Sequence, residues 1–136
     1  DEIWTRFDLD LVCLAGYLKF VEIPARWQGR VLNIHPSLLP RHGGAGMYGD
    51  RVHRAVLDAA DHESGCTVHL CDGAYDQGRI LVQRRCPVEP GDTPDTLAAR
   101  VFELECEAYP EAIRRIRREL EDSRASDPSG GDVKSR

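Results

Sequence analysis

An α/β fold is what the sequence predicts: an open, mostly parallel sheet flanked by helices, with an antiparallel hairpin and a long last helix in the C-terminal half. Three observations point to it. Leu9 to Ala15 and Val31 to Ile34 are nearly unbroken apolar runs, the pattern of strands buried on both faces of a parallel sheet. Cys66 to Cys71 alternates like a half-buried strand, and Arg79 to Arg85 supplies a second strand across a connection short enough to make the pair antiparallel. Helical spacing returns after each of these regions.

Taken in order, the first run ends at Gly16, and Glu22 to Gln28 suggests a short helix carrying Trp27. Gly29 and Arg30 lead into the second run, which continues into Asn33-Ile34-His35-Pro36-Ser37-Leu38-Leu39-Pro40. Arg41 to Tyr48 is a Gly-rich loop of the kind that moves or closes over ligands. Val52, Val56, Leu57 and Ala60 then recur at helical spacing until Asp61-His62 breaks the pattern. In Asp92-Thr93-Pro94 a capping side chain precedes Pro at the first helical position, which starts the last helix. Leu97, Val101, Leu104 and Ala108 mark its apolar face, and it continues past Pro110 through Ile113 and Ile116. From Glu121 the chain is polar with almost no apolar anchor, so the expected division is a catalytic portion at 1–120 and a disordered tail at 121–136. No internal repeats occur.

The 136 residues suit one domain with a sizeable core. With 18 Lys+Arg against 23 Asp+Glu, the net charge of -5 favours neither nucleic acid nor an anionic membrane surface as partner. Five cysteines without any C-x-x-C pair argue against a disulfide framework and a zinc cluster, and fit a reducing cytosol. No apolar stretch approaches the roughly 20 residues that cross a bilayer. His42 and His62 are expected to be solvated.

Asn33 and His35 carry the clearest chemistry. Two residues apart at the end of an extended run, they turn a carboxamide and an imidazole to the same side, where both can address one developing charge. Pro36 and Pro40 restrict the backbone around them and make a stiff platform. Asp76, in Tyr75-Asp76-Gln77-Gly78, offers a carboxylate that favours the charged form of a nearby imidazole.

The platform and Asp76, together with Leu14-Ala15-Gly16-Tyr17-Leu18-Lys19, Gly65-Cys66-Thr67-Val68-His69, Gly91-Asp92-Thr93 and Ala98-Ala99-Arg100-Val101, resemble in order and spacing the signature of the folate-dependent formyltransferases. The likeness covers residues 8–116 and is strongest to the branch that formylates glycinamide ribonucleotide in purine synthesis. It implies a formyltransferase-like, incomplete Rossmann-type sheet, 10-formyltetrahydrofolate as cosubstrate, small-molecule substrates and no metal. By resemblance Asn33 and His35 hold the formyl oxygen, and Asp76 keeps the imidazole charged and helps move the proton. Leu18, Lys19, Phe20 and Val21 form one wall of the folate pocket, and Asp72, Gly73, Ala74 and Tyr75 the other. Lys19 stands where many members carry Arg, without the planar fork. Glu105 matches a carboxylate that binds the substrate ribose, His53 a histidine near the substrate, and His69 and Ser37 support the site. Cys106 replaces a common His.

Related activities remain as alternatives. A formyltetrahydrofolate deformylase typically has a second His where Pro36 stands, and a methionyl-tRNA formyltransferase carries a further tRNA-binding domain. A non-catalytic folate-binding fragment is the alternative from another class. Family members open with a strand, a Gly-rich turn and a helix whose N-terminus holds the substrate phosphate. The sequence begins at Asp1 without that segment, so it reads as the C-terminal portion of such an enzyme, expected to be inactive on its own.

Overall fold

The computed structural model describes residues 10–16, 22–72 and 78–126. In chain order these form strand β1 (Val12–Leu14), a turn of 3-10 helix (Ala25–Trp27), β2 (Val31–His35), helix α1 (Asp50–Asp58), β3 (Glu63–Leu70), β4 (Ile80–Pro87) and helix α2 (Pro94–Ser126). The strands lie side by side in the order β1-β2-β3-β4.

The α/β class, the hairpin and the long last helix are as the sequence suggests. The strand directions are more mixed. β1 and β2 run parallel, whereas β2–β3 and β3–β4 are antiparallel, so only one of the three described pairings has the parallel sense expected of most. Unbroken apolar runs report burial on both faces, which a central strand of a mixed sheet shares with a parallel one.

One sheet face is apolar. Leu32, Cys66, Val68 and Val82 point to α2, where Leu97, Val101, Ala108 and Ala112 complete a fully buried cluster. Tyr109 of the same helix donates its hydroxyl to the Leu14 carbonyl at 2.6 Å and also lies 3.2 Å from that of Leu32, fastening the helix to the ends of β1 and β2. At the start of α2, Thr93 caps the helix: its Oγ1 accepts from Thr96 N at 3.3 Å while Thr93 N donates to Thr96 Oγ1 at 2.9 Å. Arg100 grips Asp92 through both guanidinium nitrogens at 2.7 and 2.9 Å, which holds the Asp92 carboxyl well below the usual range. The far end of α2 runs through the boundary expected at residue 121. Arg117–Glu121 and Arg124–Asp10 ion pairs accompany this extension, so polar residues there continue the helix to Ser126. Residues 127–136 lie outside the described part.

α1 ends in a Schellman motif. Asp61 N donates to Val56 O at 3.2 Å, Ala60 N to Leu57 O at 3.0 Å, and Ala60 takes the left-handed φ of 52° that usually selects Gly. The backbone strain on an L-residue there, roughly 1–2 kcal/mol, exceeds the roughly 0.4–1 kcal/mol that Gly adds to unfolded-state entropy. Ala60→Gly should therefore stabilise the protein by about 0.5–1 kcal/mol, read as a higher urea midpoint at unchanged slope. A lower midpoint would show that the methyl contributes packing worth more than the strain.

Candidate active site

β2 carries Asn33 and His35 at its carboxyl end, turned to the sheet face away from α2. Antiparallel pairing sets His69 opposite Asn33, Thr67 opposite His35, and Gln83 of β4 opposite Thr67. Directly paired residues share a face, so these five side chains make a polar patch on a sheet whose other face is apolar. Nearer Val31 the same face is closed by Ile23 and Trp27.

His35 is buried, with 4% of its surface exposed, and its Nε2 lies 2.8 Å from the His42 carbonyl oxygen. A carbonyl only accepts, so Nε2 carries the proton. Asn33 is half-buried, and its carboxamide has no hydrogen-bond partner among the described residues. His69 is 2% exposed and donates from Nδ1 to the Leu70 carbonyl at 3.0 Å. His53, on α1, is as buried as His35 and close enough to it for two charged rings to repel. Burial lowers the pKa of His53, Asp50 opposes that shift, and His35 reinforces it.

The platform is stiffened by more than its prolines. Thr67 Oγ1 donates to the Ser37 carbonyl at 2.7 Å and accepts from Leu39 N and Gln83 Nε2, each at 3.1 Å. Gln83 Nε2 also donates to the Leu39 carbonyl at 2.9 Å, and Ser37 Oγ to the Arg41 carbonyl at 2.6 Å. Ser37 thus holds the turn that follows His35. Thr67 and Gln83 were not among the expected site residues, although Thr67 stands two positions before His69, on the same strand face. His42, expected to be solvated, is half-buried, with its ring Nε2 2.7 Å from Asp61 Oδ2.

Other expected residues fall elsewhere. Glu105 is half-buried on α2, near Cys66 on the apolar side of the sheet, and forms no bond to the Asn33–His35 patch. Burial raises its pKa, and its charge adds to the burial that pushes the Cys66 thiol up to about 12. Asp72 is exposed beyond β3. Leu18, Lys19, Phe20, Val21, Gly73, Ala74, Tyr75 and Asp76 lie outside the described residues. Among the described residues, no group of three or more His, Cys, Asp or Glu side chains is arranged to hold a metal ion. No helix there is long and apolar enough to cross a membrane.

A half-buried carboxamide on the same strand face as a buried imidazole, whose Nε2–H is committed to the His42 carbonyl, can together with Nδ1–H of the charged ring direct two donors at an oxygen that gains charge. The chain is 47% identical over 113 residues to the chloroplastic phosphoribosylglycinamide formyltransferase of Vigna unguiculata, an alignment spanning 82% of this chain and 36% of that protein. To the corresponding protein of Arabidopsis thaliana it is 44% identical over 117 residues, 85% of this chain and 40% of the relative. The crystal structure of glycinamide ribonucleotide transformylase 1 from Symbiobacterium toebii matches at a TM-score of 0.74 and 41% identity, over 83% of this chain and 52% of that one. The chain thus spans about two fifths of these curated relatives and half of the solved structure. The formyl transferase family model matches residues 1–113, and the chain belongs to that family.

Proposed function

We propose that this chain carries the catalytic centre for transfer of a formyl group from 10-formyltetrahydrofolate to the amine of glycinamide ribonucleotide, the formylation step of purine synthesis. The observation that carries the reading is the half-buried Asn33 carboxamide, without a hydrogen-bond partner among the described residues, on the same strand face as His35. An amide that keeps its donors uncommitted beside an imidazole can give them to a ligand oxygen.

The amine nitrogen attacks the formyl carbon, and the carbonyl electrons move onto oxygen to give a tetrahedral intermediate. The Asn33 N–H and a His35 N–H stabilise that oxyanion. Collapse breaks the bond to N10 of the folate, and the proton lost by the amine is delivered to N10 through Asp76 and water. Leu18 to Val21 and Asp72 to Tyr75 bind the pterin, His53 contacts the ribonucleotide, and no metal takes part. Residues 1–120 hold this chemistry. The five thiols, none in a disulfide, suit a reducing compartment such as the cytosol.

The test is an assay of the purified protein that contains this chain, supplied with both substrates. Formylated ribonucleotide should accumulate in step with loss of 10-formyltetrahydrofolate, and little formate should appear when the ribonucleotide is omitted. Formate release at the same rate with or without the ribonucleotide would replace this reading with deformylation.

A further inference from the structure

His35 is held from a direction that the reaction itself does not require. Its Nε2–H donates to the main-chain carbonyl of His42 at 2.8 Å, and His42 is one of only two non-Gly residues with positive φ among those described, at 55°. An L-residue keeps that conformation only when its surroundings hold it. Here the holding contact is visible: the His42 ring donates from Nε2 to Asp61 Oδ2 at 2.7 Å, with both side chains under a fifth exposed. Asp61 is itself fixed as the closing residue of the Schellman motif that ends α1. The connection therefore runs from a rigid helix end, through a carboxylate and a ring, into a backbone carbonyl, and ends on the imidazole of the reaction centre.

We propose that Asp61 and His42 form a positioning pair for His35, an inference that rests on the formyl-transfer reading for its kinetic consequences but not for its structural ones. Asp61 anchors the His42 ring, and the anchored ring maintains the left-handed backbone that aims the His42 carbonyl. That carbonyl fixes the plane of the His35 ring and keeps the proton on Nε2, so protonation changes occur at Nδ1. Without the anchor the carbonyl can turn away, and the His35 ring loses its set angle to the formyl carbon.

The test uses the protein that contains this chain and two readouts. Asp61→Ala should lower kcat about ten- to a hundredfold while KM for each substrate changes little, the cost of misplacing a reacting group. Asp61→Asn keeps an acceptor oxygen in place and should restore most of that loss. His42→Gly retains the carbonyl and takes the same φ without strain but lacks the ring; it should fall as Asp61→Ala does, and the double variant should be no worse than either. In proton NMR of the labelled protein, the His35 Nε2–H should be a slowly exchanging downfield signal in the parent and in Asp61→Asn, and broadened or lost in Asp61→Ala. Parent-like kcat in His42→Gly, additive losses in the double variant, or an unchanged Nε2–H signal in Asp61→Ala overturns the proposal. The NMR result stands whether or not the ribonucleotide is the substrate, so it separates this inference from the assignment of the reaction.

Discussion

Replacing His35 by Asn in the protein that contains this chain should lower kcat by about a hundred- to a thousandfold with little change in either KM, the usual consequence of removing one preorganised oxyanion donor. The buried ring is aimed through its bond to the His42 carbonyl, and it shares a strand face with the Asn33 amide. Asn in its place is shorter and cannot become a cation, so it loses the donor when the formyl oxygen becomes negative. If Asp76 serves by keeping that imidazole charged, the two groups act as one unit. Asp76→Asn added to His35→Asn should then cost little more than His35→Asn alone. Steady-state kinetics on the single and double variants settle both points. A raised KM with kcat preserved would mean that His35 binds the ground state only.

Gly65→Ala should destabilise the fold by about 3 kcal/mol or more, at the upper end of what overpacking costs. A Cβ at Gly65 would lie 1.8 Å from the Arg84 carbonyl oxygen and 2.8 Å from Leu38 Cδ2. The first obstacle is backbone in the adjacent strand and cannot rotate away. The second belongs to the platform, which rests on β3 at this point. Relief therefore requires the hairpin to spread or the platform to lift, and either disturbs the Thr67 bonds next door. Urea unfolding should show a markedly lower midpoint, and a variant that still folds should also turn over more slowly. A midpoint within about 0.5 kcal/mol of the parent, the range of a neutral surface change, would show that β4 yields freely.

Strands, hairpin and last helix could be read from the sequence because polarity alternates between the faces of an element, with a period of two along β3, which is buried on both faces where a half-buried strand was expected, and about 3.6 along α2. Strand direction leaves no such trace: Val31, Leu32 and Ile34 are apolar whether β3 lies parallel or antiparallel to them. The extent of α2 was also hidden, because composition counts Glu121 and Arg124 as polar without revealing that they pair with Arg117 and Asp10. At the site, Asn33 and His35 were legible from their own spacing. Thr67 with Gln83, and His42 with Asp61, were not. These pairs lie 16 and 19 residues apart and meet only once the sheet and α1 have formed. Glu105 fits the family pattern in sequence, yet packs on the helix-covered side of the sheet beside Cys66.

The platform receives most of its described fastening through its backbone. Ser37, Leu39, Arg41 and His42 each offer a main-chain carbonyl, taken by Thr67, Gln83, Ser37 and His35 respectively. Any residue supplies a carbonyl, so the exposed side chain of Arg41 has little part in the loop's shape, whereas the prolines, the donors on β2 and β3 and the amide on β4 define it. Substitutions that reshape this loop should thus be found mainly in strands far from it along the chain, and the loop's own solvent-facing positions are where the sequence can drift, or be redesigned for a different ligand rim, without moving the groups beneath.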